Sequence, residues 1–114
     1  MTFSPKQQGD TQPTQISLVT TAGAVFPLTG ASIGNGANGN GSFTAYLRDL
    51  VQQIDITLNG TWSGLNISGG QVTYNWVPGD TSQLNPGPYQ FFVKIVIGSV
   101  VYIPRPAILL IQAS

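Results

Sequence analysis

Aspartates are the only side chains in this sequence that could act as general acids or bases near neutral pH: Asp10, Asp49, Asp55 and Asp80. A glycosidase needs two carboxyl groups about 5 to 9.5 Å apart across a cleft. Asp49 and Asp55 are the one pair whose spacing leaves that open. Asp10, in Gly9-Asp10-Thr11, and Asp80, in Gly79-Asp80-Thr81, stand in turn sequence, where an aspartate caps backbone N–H groups. Histidine, cysteine and glutamate are absent. Their absence removes the usual general base, the thiolate nucleophile and the commonest metal ligands. Serines are present without a base partner. The expectation is a protein that is not an enzyme, with no catalytic, metal or cofactor-binding residue assigned.

Two further patterns could hold a ligand. Gly34, Gly36 and Gly39 satisfy G-x-G-x-x-G as text. That pattern binds a dinucleotide only after a buried parallel strand and at the start of a helix, and neither flank supplies one. Residues 34–41 therefore read as a flexible glycine-asparagine loop, a long excursion from one end of the domain. Aromatic platforms stack on sugars. Tyr74 and Trp76 alternate with Asn75 inside a strand and read as core, whereas Trp62 follows a turn and is the candidate exposed loop aromatic. Three Asn-x-Ser/Thr matches begin at Asn40, Asn59 and Asn66, but without a secretory signal the pattern is idle.

The elements that position these residues follow from periodicity. Val72, Tyr74 and Trp76 fall on every second residue, as do Tyr89, Phe91, Val93, Ile95 and Ile97. A period of two marks half-buried strands. Pro78-Gly79-Asp80-Thr81 and Asn85-Pro86-Gly87-Pro88 end the first and delay the second. The other strands are expected to be added to this pair. Ile16 and Leu18 mark a short strand over residues 15–21, and Pro27 suggests an edge strand over 25–28. Phe43, Tyr46, Leu47, Leu50 and Val51 fit a helical stripe, while Phe43, Ala45 and Leu47 fit a strand. A strand over 43–48 is preferred because its neighbours are strand-like, with room for one helical turn at 49–53. Ile54, Ile56 and Leu58 alternate, and Asn59-Gly60 reads as a hairpin turn into residues 61–67. Gly98-Ser99 suits a two-residue hairpin, and residues 100–103 and 107–111 close the sheet around Pro104-Arg105-Pro106. The pattern predicts an all-β, antiparallel β-sandwich over residues 14–114. A polar N-terminal arm over residues 1–13 is expected to be loose unless it lies on a neighbour.

The chain has 114 residues, enough for one domain, but only 7% are charged and the formal net charge is zero. Neither a basic footprint for nucleic acid nor a polybasic membrane anchor is present. No apolar run reaches the roughly 18 residues of a membrane span, and no secretory signal opens the chain. A surface this poor in charge is expected to lie against other protein. Phe92 and Val96 point away from the core face of their strand, and residues 100–103 and 108–111 are apolar on both faces. Phe92, Val96, Val101, Ile103, Ile108 and Leu110 are the candidate assembly interface.

A set of short segments recurs in a recognisable order: Gly9-Asp10-Thr11-Gln12-Pro13, Leu28-Thr29-Gly30-Ala31-Ser32, Val72-Thr73-Tyr74-Asn75-Trp76, Asp80-Thr81, Gly87-Pro88-Tyr89, and Pro104 to Pro106. Together they resemble the N-terminal immunoglobulin-like domain of phage baseplate upper proteins and related tail and fibre domains. The resemblance spans most of the chain, with residues 34–41 as an insertion. It implies an immunoglobulin-like sandwich that serves as a structural module of a virion. Such a module is made in the host cytoplasm, assembles with copies of itself and other virion proteins, and is released by lysis. Capsid decoration and host-surface glycan binding through Trp62 and the 34–41 loop are the alternative readings.

Overall fold

Alternating apolar residues become strands throughout the chain. The computed structural model describes residues 5–20, 22–104 and 106–113. In order they form β1 (Lys6–Gln7), β2 (Thr14–Ser17), β3 (Phe43–Asp49), β4 (Ile54–Thr57), β5 (Thr61–Asn66), β6 (Gln71–Asn75), β7 (Gly87–Ile97), β8 (Val100–Tyr102) and β9 (Ala107–Gln112). The one helical piece among the described residues is a 3-10 turn at Pro78–Asp80. The larger sheet runs β1-β9-β7-β3-β4, with β8 also paired to β7, and the smaller runs β2-β6-β5. All pairings are antiparallel except β1 with β9. The fold is all-β, with two sheets facing each other.

The two most regular strands do not pair with each other. β6 is the middle strand of the smaller sheet and β7 a central strand of the larger, so they meet across the core. Tyr74 and Trp76 reach Phe91 with ring centres 6.1 and 5.6 Å apart, and Phe43 reaches Trp62 at 5.4 Å. Aromatic rings at this range in tilted or edge-on arrangement add to the gain from area burial. Leu28, Leu47, Val72, Ile95 and Leu109 fill the space around them.

The chain changes sheet at Asn59-Gly60, where a hairpin was expected. β4 pairs with β3, and β5 pairs with β6 in the other sheet. Neither residue has a positive φ. A buried network diverts the chain instead. The Tyr74 hydroxyl donates to Asp80 Oδ2 (2.7 Å) and accepts from the Gly60 N–H (2.7 Å). Asp80 Oδ1 accepts from the Asn59 N–H at 2.7 Å, and Oδ2 also accepts from the Val77 N–H at 3.2 Å. Glycine is required at position 60 for space: a Cβ there would overlap the Asn75 carbonyl and the Tyr74 hydroxyl.

Residues 43–49 are a strand, and the alternative helical stripe is absent. Phe43, Ala45 and Leu47 point into the core while Tyr46 points out. Leu50 to Gln53 form the turn into β4, closed by the Gln53 N–H on the Asp49 carbonyl (2.8 Å). The Gly98-Ser99 hairpin forms as expected, with Gly98 at φ 61°. Of residues 25–28, only Val25 makes a ladder contact, an isolated bridge to Val19.

The expected N-terminal arm lies partly outside the described residues; from Lys6 onward it is fastened to its own chain. Lys6 is buried beside β9. Its Nζ donates to the Gln12 carbonyl (2.9 Å), lies 3.7 Å from Asp10 and sits 5.0 Å from the centre of the Trp76 ring. Burial lowers the Lys6 pKa, and Asp10 partly offsets this. Gly9 N–H donates to Thr81 Oγ1 at 2.8 Å.

Two outcomes follow from the buried network. Gly60→Ala should cost about 1–3 kcal/mol by overpacking, read as a lower urea midpoint at unchanged slope. Burial first, then the bond to Asp80, raise the Tyr74 pKa far above the ordinary tyrosine value. Its contribution is therefore complete below pH 10 and falls as pH rises, by up to about 1.4 kcal/mol per pH unit. Tyr74→Phe should be less stable than the parent at pH 7 and lose less between pH 10 and 12.

Candidate assembly face

β7 places Gln90, Phe92, Lys94 and Val96 on the side of the larger sheet away from the core. Its neighbours extend that side by register: Tyr46 stands beside Phe92, Val101 beside Val96, Ile108 beside Gln90, and Leu110 beside Pro88. The Tyr46 and Phe92 rings stack with centres 5.1 Å apart and planes 16° from parallel. Each covers one face of the other, so Phe92 is half-buried within its own chain. Val96, Ile108 and Leu110 are 37%, 38% and 40% exposed, and Val101 is 53% exposed. Ile103, 60% exposed, lies just beyond β8.

Five of the six expected interface residues thus share one face; Ile103, beyond the end of β8, instead lines a groove with Ile16, Leu18 and Val93. Tyr46 belongs with them and was missed. The inward alternation of Phe43, Ala45 and Leu47 would have put it outside. Polar groups interrupt the face: Lys94 lies between Phe92 and Val96, and Arg48 Nε pairs with Asp55 Oδ1 at 2.8 Å. Both members of that pair are nearly half exposed, so it adds little stability. Covering the free part of each aliphatic side chain would contribute on the order of 1 kcal/mol.

The candidate carboxylates do not converge. Arg48 pairs with Asp55 and Asp49 with Ile54, so Asp49 and Asp55 fall on opposite faces of the β3–β4 hairpin. Asp49 Oδ1 instead accepts from the N–H groups of Val51 and Gln52 at 2.8 and 3.1 Å. Asp10 accepts from the Gln12 N–H at 2.8 Å, the turn role expected of it.

Trp62 is not an exposed aromatic. It is 3% exposed, packed between Phe43 and Tyr74, with its Nε1 donating to Asn38 Oδ1 at 2.9 Å. The turn before it crosses between sheets, which carries Trp62 inward. Asn38 also ties down the 34–41 loop, contrary to the open excursion expected. Its Nδ2 donates to the carbonyls of Ala45 (3.1 Å) and Leu58 (2.6 Å), and its Oδ1 accepts from the Ala45 N–H (2.7 Å). Ala37 bridges to Thr61.

Among the described residues, no group of three potential metal ligands occurs, and every buried side-chain nitrogen and oxygen has a hydrogen-bond partner. No described helix is long and apolar enough to cross a membrane. Compared with protein-family models, curated proteins and solved structures, the chain matches none.

The two sides of β9 should respond differently to substitution. Ile108→Thr and Leu110→Thr, on the outer side, should each change unfolding free energy by about 0.5 kcal/mol or less. Leu109→Ala, between them and buried, should cost about 2–5 kcal/mol. Urea unfolding of the three variants checks the contrast.

Proposed function

We propose that this protein is a structural component of a bacteriophage particle. It acts as an immunoglobulin-like module that assembles with copies of itself and with other virion proteins. One observation carries the assembly reading. The outer face of the larger sheet bears Phe92, Val96, Val101, Ile108 and Leu110, with Tyr46 stacked on Phe92. An antiparallel sheet facing water on one side is expected to be polar there. Apolar side chains left exposed together on such a face mark an interaction site, here broken by Lys94 rather than only rimmed by polar groups. The charge-poor composition agrees, because such a surface has weak protection against association.

The virion assignment rests on a resemblance: the order of short segments is similar to that of phage tail and baseplate immunoglobulin-like domains. The two facing sheets are compatible with it, and a capsid-decorating position uses the same surface. The glycan-binding alternative loses its principal residue, since Trp62 is buried.

Solution mass measured across a dilution series, alone and mixed with the other proteins of the particle, tests the proposal. The expected result is association at micromolar concentration. Val96→Lys combined with Leu110→Lys should weaken it at least tenfold while the protein stays folded. A chain that stays monomeric and binds none of the particle proteins ends the reading.

A further inference from the structure

A second surface differs in kind from the outer face, because its unpaired groups are backbone. Among the described residues, β2 is an edge strand paired only with β6. The Leu18 N–H donates to Gly70 in continuation of that ladder (2.8 Å). In an antiparallel ladder, alternate residues bond to the partner and those between face away. Thr14, Ile16 and Leu18 therefore face β6, while Gln15, Ser17 and Val19 turn their N–H and C=O groups to the open edge. The bridge of Val19 to Val25 leaves this unchanged, since its bonds run from Phe26 N–H to Leu18 and from Thr20 N–H to Ala24.

Edges are normally defended by charge, proline, bulges or cover. β5 has an irregular register between Ser63 and Asn66 and is bridged by Ala37. β4 carries Asp55, paired with Arg48. Among the described residues β2 has none of these beyond its short length of four residues, and no charged residue lies between Asp10 and Arg48 in the sequence. Beside it opens an apolar groove of about 360 Å³, walled by Ile16 and Leu18 on one side and by Val93, Ile103 and Ala107 on the other.

We infer that this edge pairs antiparallel with the same edge of a second copy, joining two smaller sheets into one. Three features specify a copy. The free groups are centred on Ser17, so a two-fold axis there sets Ser17 against Ser17 and Gln15 against Val19, with each bond reciprocated. The side chain on the axis is small. An uncharged edge meets its own copy without like-charge repulsion. One strand edge buries less than the roughly 800 Å² per partner of a stable interface, so this contact is weak alone. It strengthens where copies are already held close, as on a particle. The inference does not depend on the outer face of the larger sheet.

Two measurements test it. The first is sedimentation of the whole protein up to about 1 mM. The parent should dimerise. Ser17→Pro removes an N–H that β6 does not use, so it should fold normally and weaken the dimer at least tenfold. Val96→Lys with Leu110→Lys should leave the β2 dimer in place, which separates failure here from failure of the outer face. The second is amide exchange: the N–H groups of Gln15, Ser17 and Val19 should become protected as concentration rises, a readout available even if the proline variant does not fold. A monomeric parent at all concentrations, a Ser17→Pro dimer of parental strength, or protection only after other particle proteins are added would each overturn the inference.

Discussion

The hydroxyl of Tyr74, held between Asp80 and the backbone of Gly60, fixes where the chain leaves one sheet for the other. Without that link, Asn59-Gly60 has the chemistry of a hairpin turn, and β5 would be free to pair back on β4. With it, the N–H groups of Asn59 and Gly60 have partners in Asp80 and Tyr74, and β5 is delivered to the smaller sheet. A buried network of this kind is strong when every member is satisfied and costly when one is lost. Trp62 follows directly after this crossing, and Ala37 of the 34–41 loop bridges to Thr61 beside it. Asn38 does a similar job, joining the loop to β3, to the Leu58 carbonyl and to the Trp62 indole.

Much of the strand plan was readable because it is local. In β6 and β7 the alternation is long and unbroken, and it marks the central strand of one sheet and a central strand of the other. Gly98-Ser99 needs only its own backbone geometry to make a hairpin. What could not be read depends on residues distant in sequence. Nothing near Asn59 announces that Tyr74 and Asp80 will take its N–H and that of its neighbour. Residues 43–49 fit two periods until Phe92 is known to lie beside Tyr46 on the outer face. Asn38 stands in a run of glycine and asparagine that looks featureless, and its four side-chain bonds go to atoms 7 to 24 positions away. The apolar outer face was legible, because β7 and β9 place large side chains on both parities.

That face combines shielded aromatic rings with exposed aliphatic side chains. The Tyr46–Phe92 stack shields much of the largest apolar area within the chain itself, leaving aliphatic side chains as the exposed part. Lys94 and the Arg48–Asp55 pair interrupt the surface and, under the proposed assembly, would bias the orientation of a partner. Complementary charge sets register and encounter more than affinity. The proposed role in a particle requires many modest contacts more than one tight one.

The parallel pairing of β1 with β9 has a consequence for synthesis. Lys6 stands beside Ile111, so the first strand of the described chain cannot find its partner until the last has left the ribosome. A contact between such distant residues carries a high loop-closure cost, and topologies dominated by such contacts fold slowly. Meanwhile the nascent chain must carry a lysine whose buried place does not yet exist, alongside apolar strands with open edges. Delayed completion of this kind exposes a nascent chain to aggregation, and it leaves the sealing of the larger sheet as a late event in the protein's life.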